Sequence, residues 1–208
     1  MLNKTLIASA CTLLFTAPAM AGASLDTLLG GGSLFSNNGK LVFSDFEFTP
    51  IINAPAASDI EILTLDNGLL FGSPIFTDDS TGTIDFDISY KVSGVDVKID
   101  SVEMQSTGSG TGGGQAGVYK VIENLANLTN VFSNSSTISS GSAGFEAQDY
   151  IYVRDDIFAA PNNGTAGLSD FTQTFGTTAG PTAVPSPTAA LAGLALLGVV
   201  GIRRRRGA

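Results

Sequence analysis

Four acidic pairs are the residues of this chain whose spacing suits chemistry: Asp78-Asp79, Asp85 with Asp87, Asp96 with Asp100, and Asp155-Asp156. Calcium asks for several carboxylate and carbonyl oxygens converging from one loop. Asp78-Asp79-Ser80-Thr81-Gly82 and the Asp155-Asp156 doublet, read as marking turns, meet that description best, although EF-hand spacing is absent. Asp78, Asp79, Asp155 and Asp156 are therefore the candidate metal ligands, with a solvated β-surface as the plainer reading. Asp85 and Asp87 share a strand face about 7 Å apart at a rise of roughly 3.3 Å per residue, a separation that suits an inverting glycosidase. Exposure on a polar face argues against the raised pKa that a general acid needs. Tyr150 and Tyr152 also share a strand face, where they either stack on sugars or pack against a sheet.

Other chemistries are excluded by composition. The chain of 208 residues has no His and no Trp, and its one cysteine is Cys11. Without His, Ser-His and Cys-His nucleophiles and zinc-type sites are not available. The Gly-rich run Ser106–Gly114 (STGSGTGGG) reads as a flexible loop and lacks the Lys-Ser/Thr of a phosphate-binding loop. No catalytic residue is assigned, and the chain is expected not to be an enzyme. Ten basic residues face nineteen acidic ones. Lys4 and four arginines near the end account for five of the ten, which leaves the middle of the chain near −14. So acidic a body repels nucleic acid and anionic surfaces.

The elements that would position these residues are strands. In Thr83–Val92, Ile84, Phe86, Ile88, Tyr90 and Val92 take one parity and Asp85, Asp87, Ser89 and Lys91 the other. Helical spacing would scatter these residues, so a half-buried strand is indicated. Ser93-Gly94 then predicts a hairpin into Val95–Met104. In KLVFSDFEF (40–48), Leu41 and Phe43 share one parity and Phe46 and Phe48 the other; a bulge or a bend at Ser44-Asp45 reconciles them. Asp66-Asn67-Gly68 closes a hairpin between 59–65 and 69–76, and Pro74 marks an edge or a break. Further strands are read at 115–123, with Val118, Lys120 and Ile122 on one face, at 145–153, and at 168–175, with Phe171, Gln173 and Phe175 on one face. Ser24–Gly32 is an amphipathic start, with Leu25, Leu28 and Leu29 followed by three glycines, and so at most a short helix that stops there. Short strands between turns predict an all-β fold, an antiparallel β-sandwich of jelly-roll or immunoglobulin-like kind, over residues 22–176.

The two ends carry address signals. Lys4, the apolar run 6–15 and Ala19-Met20-Ala21 form a secretory signal peptide over 1–21, cut after Ala21 or Ala23. Cys11 lies inside its apolar run, so the mature chain has no thiol and no disulfide. Residues 177–187 read as a linker, and 188–208 as a C-terminal transmembrane helix followed by Arg203, Arg204, Arg205 and Arg206. Four arginines resist crossing a bilayer and act as a stop-transfer cluster on the cytoplasmic side.

Val184-Pro185-Ser186-Pro187, the apolar helix and the arginine cluster together resemble the PEP-CTERM sorting signal of Gram-negative bacteria. Ser186 stands where that family has Glu. The order of segments in 24–187, from FSDFEF through FDISYKV to LSDFTQTF, also resembles surface proteins bearing such tails. The resemblance implies recognition by an exosortase-type membrane protease, with exopolysaccharide as the surroundings. The expectation is a secreted, tail-anchored protein of the cell surface or extracellular matrix, structural or adhesive in role. A calcium-dependent carbohydrate-binding module and a carboxylate-based glycosidase are the alternatives.

Overall fold

The computed structural model describes residues 22–133 and 138–180. The stretch read as a signal peptide with Ala19 and Ala21, the motif read at Val184–Pro187, and the stretch read as a tail helix with Arg203–Arg206 all lie outside the described residues. Among the described residues, no helix is long and apolar enough to cross a membrane.

Among the described residues, twelve strands form two six-stranded sheets, and every pairing is antiparallel. In chain order they are β1 (Gly22–Ser24), β2 (Leu34–Phe35), β3 (Leu41–Ile52), β4 (Glu61–Thr64), β5 (Gly68–Asp78) and β6 (Ile84–Gly94). Then follow β7 (Val97–Thr111), β8 (Gln115–Ile122), β9 (Ala126–Ser133), β10 (Ile138–Gln148), β11 (Tyr150–Ala160) and β12 (Thr165–Ala179). The first sheet runs β1-β4-β5-β12-β7-β10 and the second β2-β3-β6-β11-β8-β9. The sandwich expected from the turn spacing is present. Its last strand continues through Ala179, into the stretch read as linker.

Strict alternation along β6 puts Phe86, Ile88, Tyr90 and Val92 into the space between the sheets. They meet Phe43 and Phe46 from β3, Phe71 from β5, and Phe171 and Phe175 from β12. Tyr90 is the hub of these rings, stacked on Phe46 at 5.4 Å and 5.8 Å from Phe71, which lies flat on Phe171 at 4.6 Å. A helix, α1 (Leu25–Leu29), adds buried Leu25 and Leu28 to the same core.

Three local devices follow from the sequence. The bulge in β3 falls between Ser44 and Glu47, with Asp45 at φ 55, and brings Phe46 back to the core face. A second bulge sets Ser73 and Pro74 of β5 against the β12 backbone between Leu168 and Asp170. The β4 pairing has already ended at Gly72, so the missing N–H of proline costs no ladder bond on that side. The Asp66-Asn67-Gly68 turn closes the β4–β5 hairpin, with Leu65 N–H donating to the Gly68 carbonyl at 2.8 Å.

Four expectations are corrected. Ser93-Gly94 is the end of β6, the chain bends at Val95-Asp96, and β6 and β7 lie in different sheets, so the connection crosses the sandwich instead of forming a hairpin. The run read as a flexible loop is mostly strand: β7 continues to Thr111, and the turn is confined to Gly112 and Gly113, at φ 62 and 113. Its glycines serve close approach, since a Cβ on Gly108 would sit 2.7 Å from the Gly167 carbonyl oxygen. The strand read across 145–153 is two strands that break at Asp149. Asp155-Asp156 is no turn; both residues lie inside β11.

Candidate functional site

The outer face of the second sheet holds the side chains that can meet a ligand. Register places them in rows across the strands: Ser44, Lys91 and Tyr152; then Glu47, Ser89, Arg154 and Val121; then Thr49, Asp87, Asp156 and Tyr119. Tyr150 and Tyr152 project from β11 with 53% and 45% of their surface exposed, their rings edge to face at 5.8 Å. The Lys91 ammonium lies 4.7 Å from the centre of the Tyr150 ring and 5.9 Å from that of Tyr152, and so braces both rings.

A groove of about 430 Å³ runs beside Tyr152, lined by Asp45, Glu47, Ser89, Glu123 and Arg154 among others. The bulge in β3 matters here, because the extra residue brings Asp45 to the groove and Glu47 opposite Ser89. On the other side of Tyr152 lies a second hollow of about 380 Å³, bordered by Asn124, Gln148, Asp149 and Tyr150. The two share Glu123 and Tyr152. The aromatic pair thus stands along a continuous polar surface carrying carboxylates, amides and one guanidinium. A larger hollow of about 900 Å³, lined by Asn37, Asp66, Asn67, Glu103 and Thr174, offers polar groups, but its one ring, Phe175, is buried.

The four candidate metal ligands are not brought together. Asp78 closes the turn after β5, its carboxylate accepting from the N–H of Ser80 at 2.9 Å and of Thr81 at 3.0 Å. The Ser80 hydroxyl adds a third bond, and these bonds hold the Asp78 carboxyl below its ordinary range. Asp79 accepts from the Asn163 N–H at 3.0 Å and ties that turn to the one before β12. Asp155 is wholly buried, whereas Asp156 sits on the outer face beside Asp87. Asp96 ends the β6–β7 connection at φ 58, and Asp100 lies within β7. Among the described residues, no group of three or more His, Cys, Asp or Glu side chains is arranged to hold a metal ion.

Asp85 and Asp87 do share a face, as the parity required, but Asp156 joins them, which sequence reasoning missed. The pKa expectation also needs correcting. Burial and then the Asp87 charge push Asp85 up; burial followed by Asp85 and Asp87 pushes Asp156 up. Partial cover by neighbouring side chains on the sheet achieves what exposure was expected to prevent.

One cluster was legible only in hindsight. Lys120, Asp155 and Gln173 are fully buried between the sheets, where Lys120 is ion-paired with Asp155. Gln173 Nε2 donates to Asp155 Oδ2 at 2.5 Å, and the Tyr90 hydroxyl donates to Gln173 Oε1. The signal was parity: Lys120 alternates in phase with Val118 and Ile122, and Gln173 with Phe171 and Phe175.

No protein-family model and no curated protein matches the chain. Among solved structures, it is similar to the carbohydrate-binding module TmCBM61, solved with β-1,4-galactotriose, at 9% identity and TM-score 0.36, covering 64% of this chain and 90% of that one. A family 29 carbohydrate-binding module from Piromyces equi matches at 12% identity and TM-score 0.24, covering 75% and 91%. The enzymatically active domain of tailspike protein 4 from bacteriophage CBA120 matches at 3% identity and TM-score 0.33, covering 64% of this chain and 19% of that chain. Similarity this low carries no argument about ligand or activity, which must come from the chain's own residues.

Proposed function

We propose that the protein works outside the cell as a polysaccharide-binding β-sandwich, acting by binding and not by catalysis. The observation that supports this is the Tyr150–Tyr152 pair, braced by Lys91 along a polar groove. Sugar rings carry apolar C–H faces that pack on aromatic rings, and rims of hydroxyls that suit carboxylate and guanidinium partners. Tyr152 supplies the first, while Asp45, Glu47, Glu123 and Arg154 supply the second. The groove is an open surface running across β3, β6, β11 and β8, which suits a polymer passing over it. The acidic body disfavours polyanions, so a neutral polysaccharide is the ligand class. Calcium has no part in this reading.

Affinity electrophoresis against a panel of neutral and anionic polysaccharides tests it. At least one neutral polymer is expected to retard the protein, and Tyr152→Ala to weaken that binding about tenfold, roughly 1.4 kcal/mol, with the Tm unchanged. Retardation equal to wild type in both Tyr152→Ala and Arg154→Ala would remove the groove from the account.

In the same proposal, the two ends deliver and hold the domain: 1–21 directs secretion, and Val184–Pro187 with the tail marks it for an exosortase-type protease at the inner membrane. The mass of the mature protein from its own host tests this part. A chain ending near Val184–Pro187 supports processing; a membrane-bound chain that retains Arg203–Arg206 makes the tail a plain anchor.

A further inference from the structure

Cys11 is the chain's one cysteine, so the sandwich has no disulfide to hold it. At its centre lies a different pair of groups able to join. Lys120 of β8 and Asp155 of β11 are directly opposed in register, both side chains are 0% exposed, and Lys120 Nζ is in contact with Asp155 Oδ1. The neighbours on both strands are apolar: Val118 and Ile122 flank Lys120, while Val153 and Ile157 flank Asp155. Gln173 from the facing sheet holds the other carboxyl oxygen, and Tyr90 fixes the Gln173 amide by donating to its carbonyl.

We propose that Lys120 and Asp155 condense into an intramolecular amide that cross-links β8 to β11. An ion pair in a dry core costs desolvation that its mutual attraction rarely repays. Burial accordingly drives Lys120 down and Asp155 up, toward free amine and carboxylic acid. That neutral couple is the reactant pair. One proton passes from the Nζ ammonium to the carboxylate. The Nζ lone pair then attacks Cγ, and the Cγ–Oδ1 bond breaks. Oδ1 leaves as water with that proton and a second from Nζ, so three N–H protons become one amide N–H and one water. No oxidant or co-reactant enters. Gln173 Nε2–H stays on Oδ2, where negative charge gathers in the tetrahedral intermediate and where the amide carbonyl remains afterwards. Tyr90 is a positioning residue that acts through Gln173. The product replaces two buried charges by one hydrogen-bonded amide and closes the chain between positions 120 and 155. The inference is independent of the glycan groove.

Intact-mass measurement on the purified, folded chain is the test. The expected mass is one water below the value set by the sequence and the observed termini. Digestion should leave Lys120 resistant to trypsin, and a tandem spectrum should join its peptide to the one containing Asp155. Full mass with normal cleavage after Lys120 overturns the proposal. Lys120→Arg keeps the charge but cannot form this bond, and is expected at full mass; a water still missing there puts the loss elsewhere and also overturns it. Asp155→Asn would lose ammonia instead of water and converge on the same cross-linked mass as wild type.

Discussion

Replacing Gln173 by methionine isolates the worth of the buried polar cluster, since the two side chains are close in volume and only the hydrogen bonds are lost. Gln173 is fully buried and links the first sheet to two groups of the second, Asp155 and Tyr90. Its loss strands the Asp155 Oδ2 oxygen and the Tyr90 hydroxyl where water does not replace them. Each stranded group costs about 1–3 kcal/mol, which gives about 2–6 kcal/mol for the pair. That is a large part of the roughly 5–15 kcal/mol by which domains are stable. At about 2–4 °C per kcal/mol for a chain of this size, the Tm should fall by about 4–24 °C. Thermal and urea unfolding, followed by circular dichroism, reads this directly. The internal control is Tyr90→Phe in the same background, which removes one stranded group and should recover about 1–3 kcal/mol. The expectation holds whether Asp155 is a carboxylate or the carbonyl of an amide, because the oxygen that loses its donor is the same. A Gln173→Met protein within about 0.5 kcal/mol of wild type, the range typical of surface changes, would refute the reasoning. So would a double variant no more stable than the single one.

Three further outcomes are expected. Asp85→Asn should raise stability at neutral pH: the folded state holds the Asp85 proton more tightly than the ordinary value of 3.8, so its contribution is present below 3.8 and lost as pH rises through the folded pKa. Urea midpoints below 3.8 and at neutrality check this, and a variant less stable at neutral pH would contradict it. Gly68→Ala should cost about 1–3 kcal/mol by overpacking, because a Cβ there would stand 1.7 Å from the Gln173 carbonyl oxygen; unchanged urea unfolding would exclude that close approach. Lys91→Gln should weaken polysaccharide retention about twofold to fivefold by removing a cation–π brace worth about 0.5–1 kcal/mol, with the Tm unaltered.

Parity made the framework legible. The alternation in 84–92, the phase change inside KLVFSDFEF and the Asp66-Asn67-Gly68 turn each encode geometry within a few residues, and each has its counterpart in β6, the β3 bulge and the β4–β5 hairpin. The same parity placed Lys120 and Gln173 inward, but their charge and polarity masked the message. Asp155 was harder still. It is in phase with Val153 and Ile157, yet an Asp-Asp doublet resembles a turn, and the lysine that makes its burial tolerable is 35 residues away. Sheet membership escaped for a related reason: the residues of a turn fix how the chain reverses, not whether the next strand joins the same sheet or the opposite one. The groove had no local signature, since its residues come from β3, β6, β8 and β11 and meet only through register.

The place of β12 in its sheet gives the domain a mechanical character. Residues after Ala179 leave from a strand that is interior to the sheet, with β5 on one side and β7 on the other, antiparallel to both. From Thr165 to Thr174 it is laddered on both flanks at once. A pull applied to the chain beyond Ala179 and directed along the strand would load those ladders in shear, so many hydrogen bonds would bear the force together. An edge strand pulled across its ladder would instead peel away one bond at a time. If the chain beyond Ala179 is the tether proposed above, the sandwich would hold its outer face against flow or drag while that tether is taut.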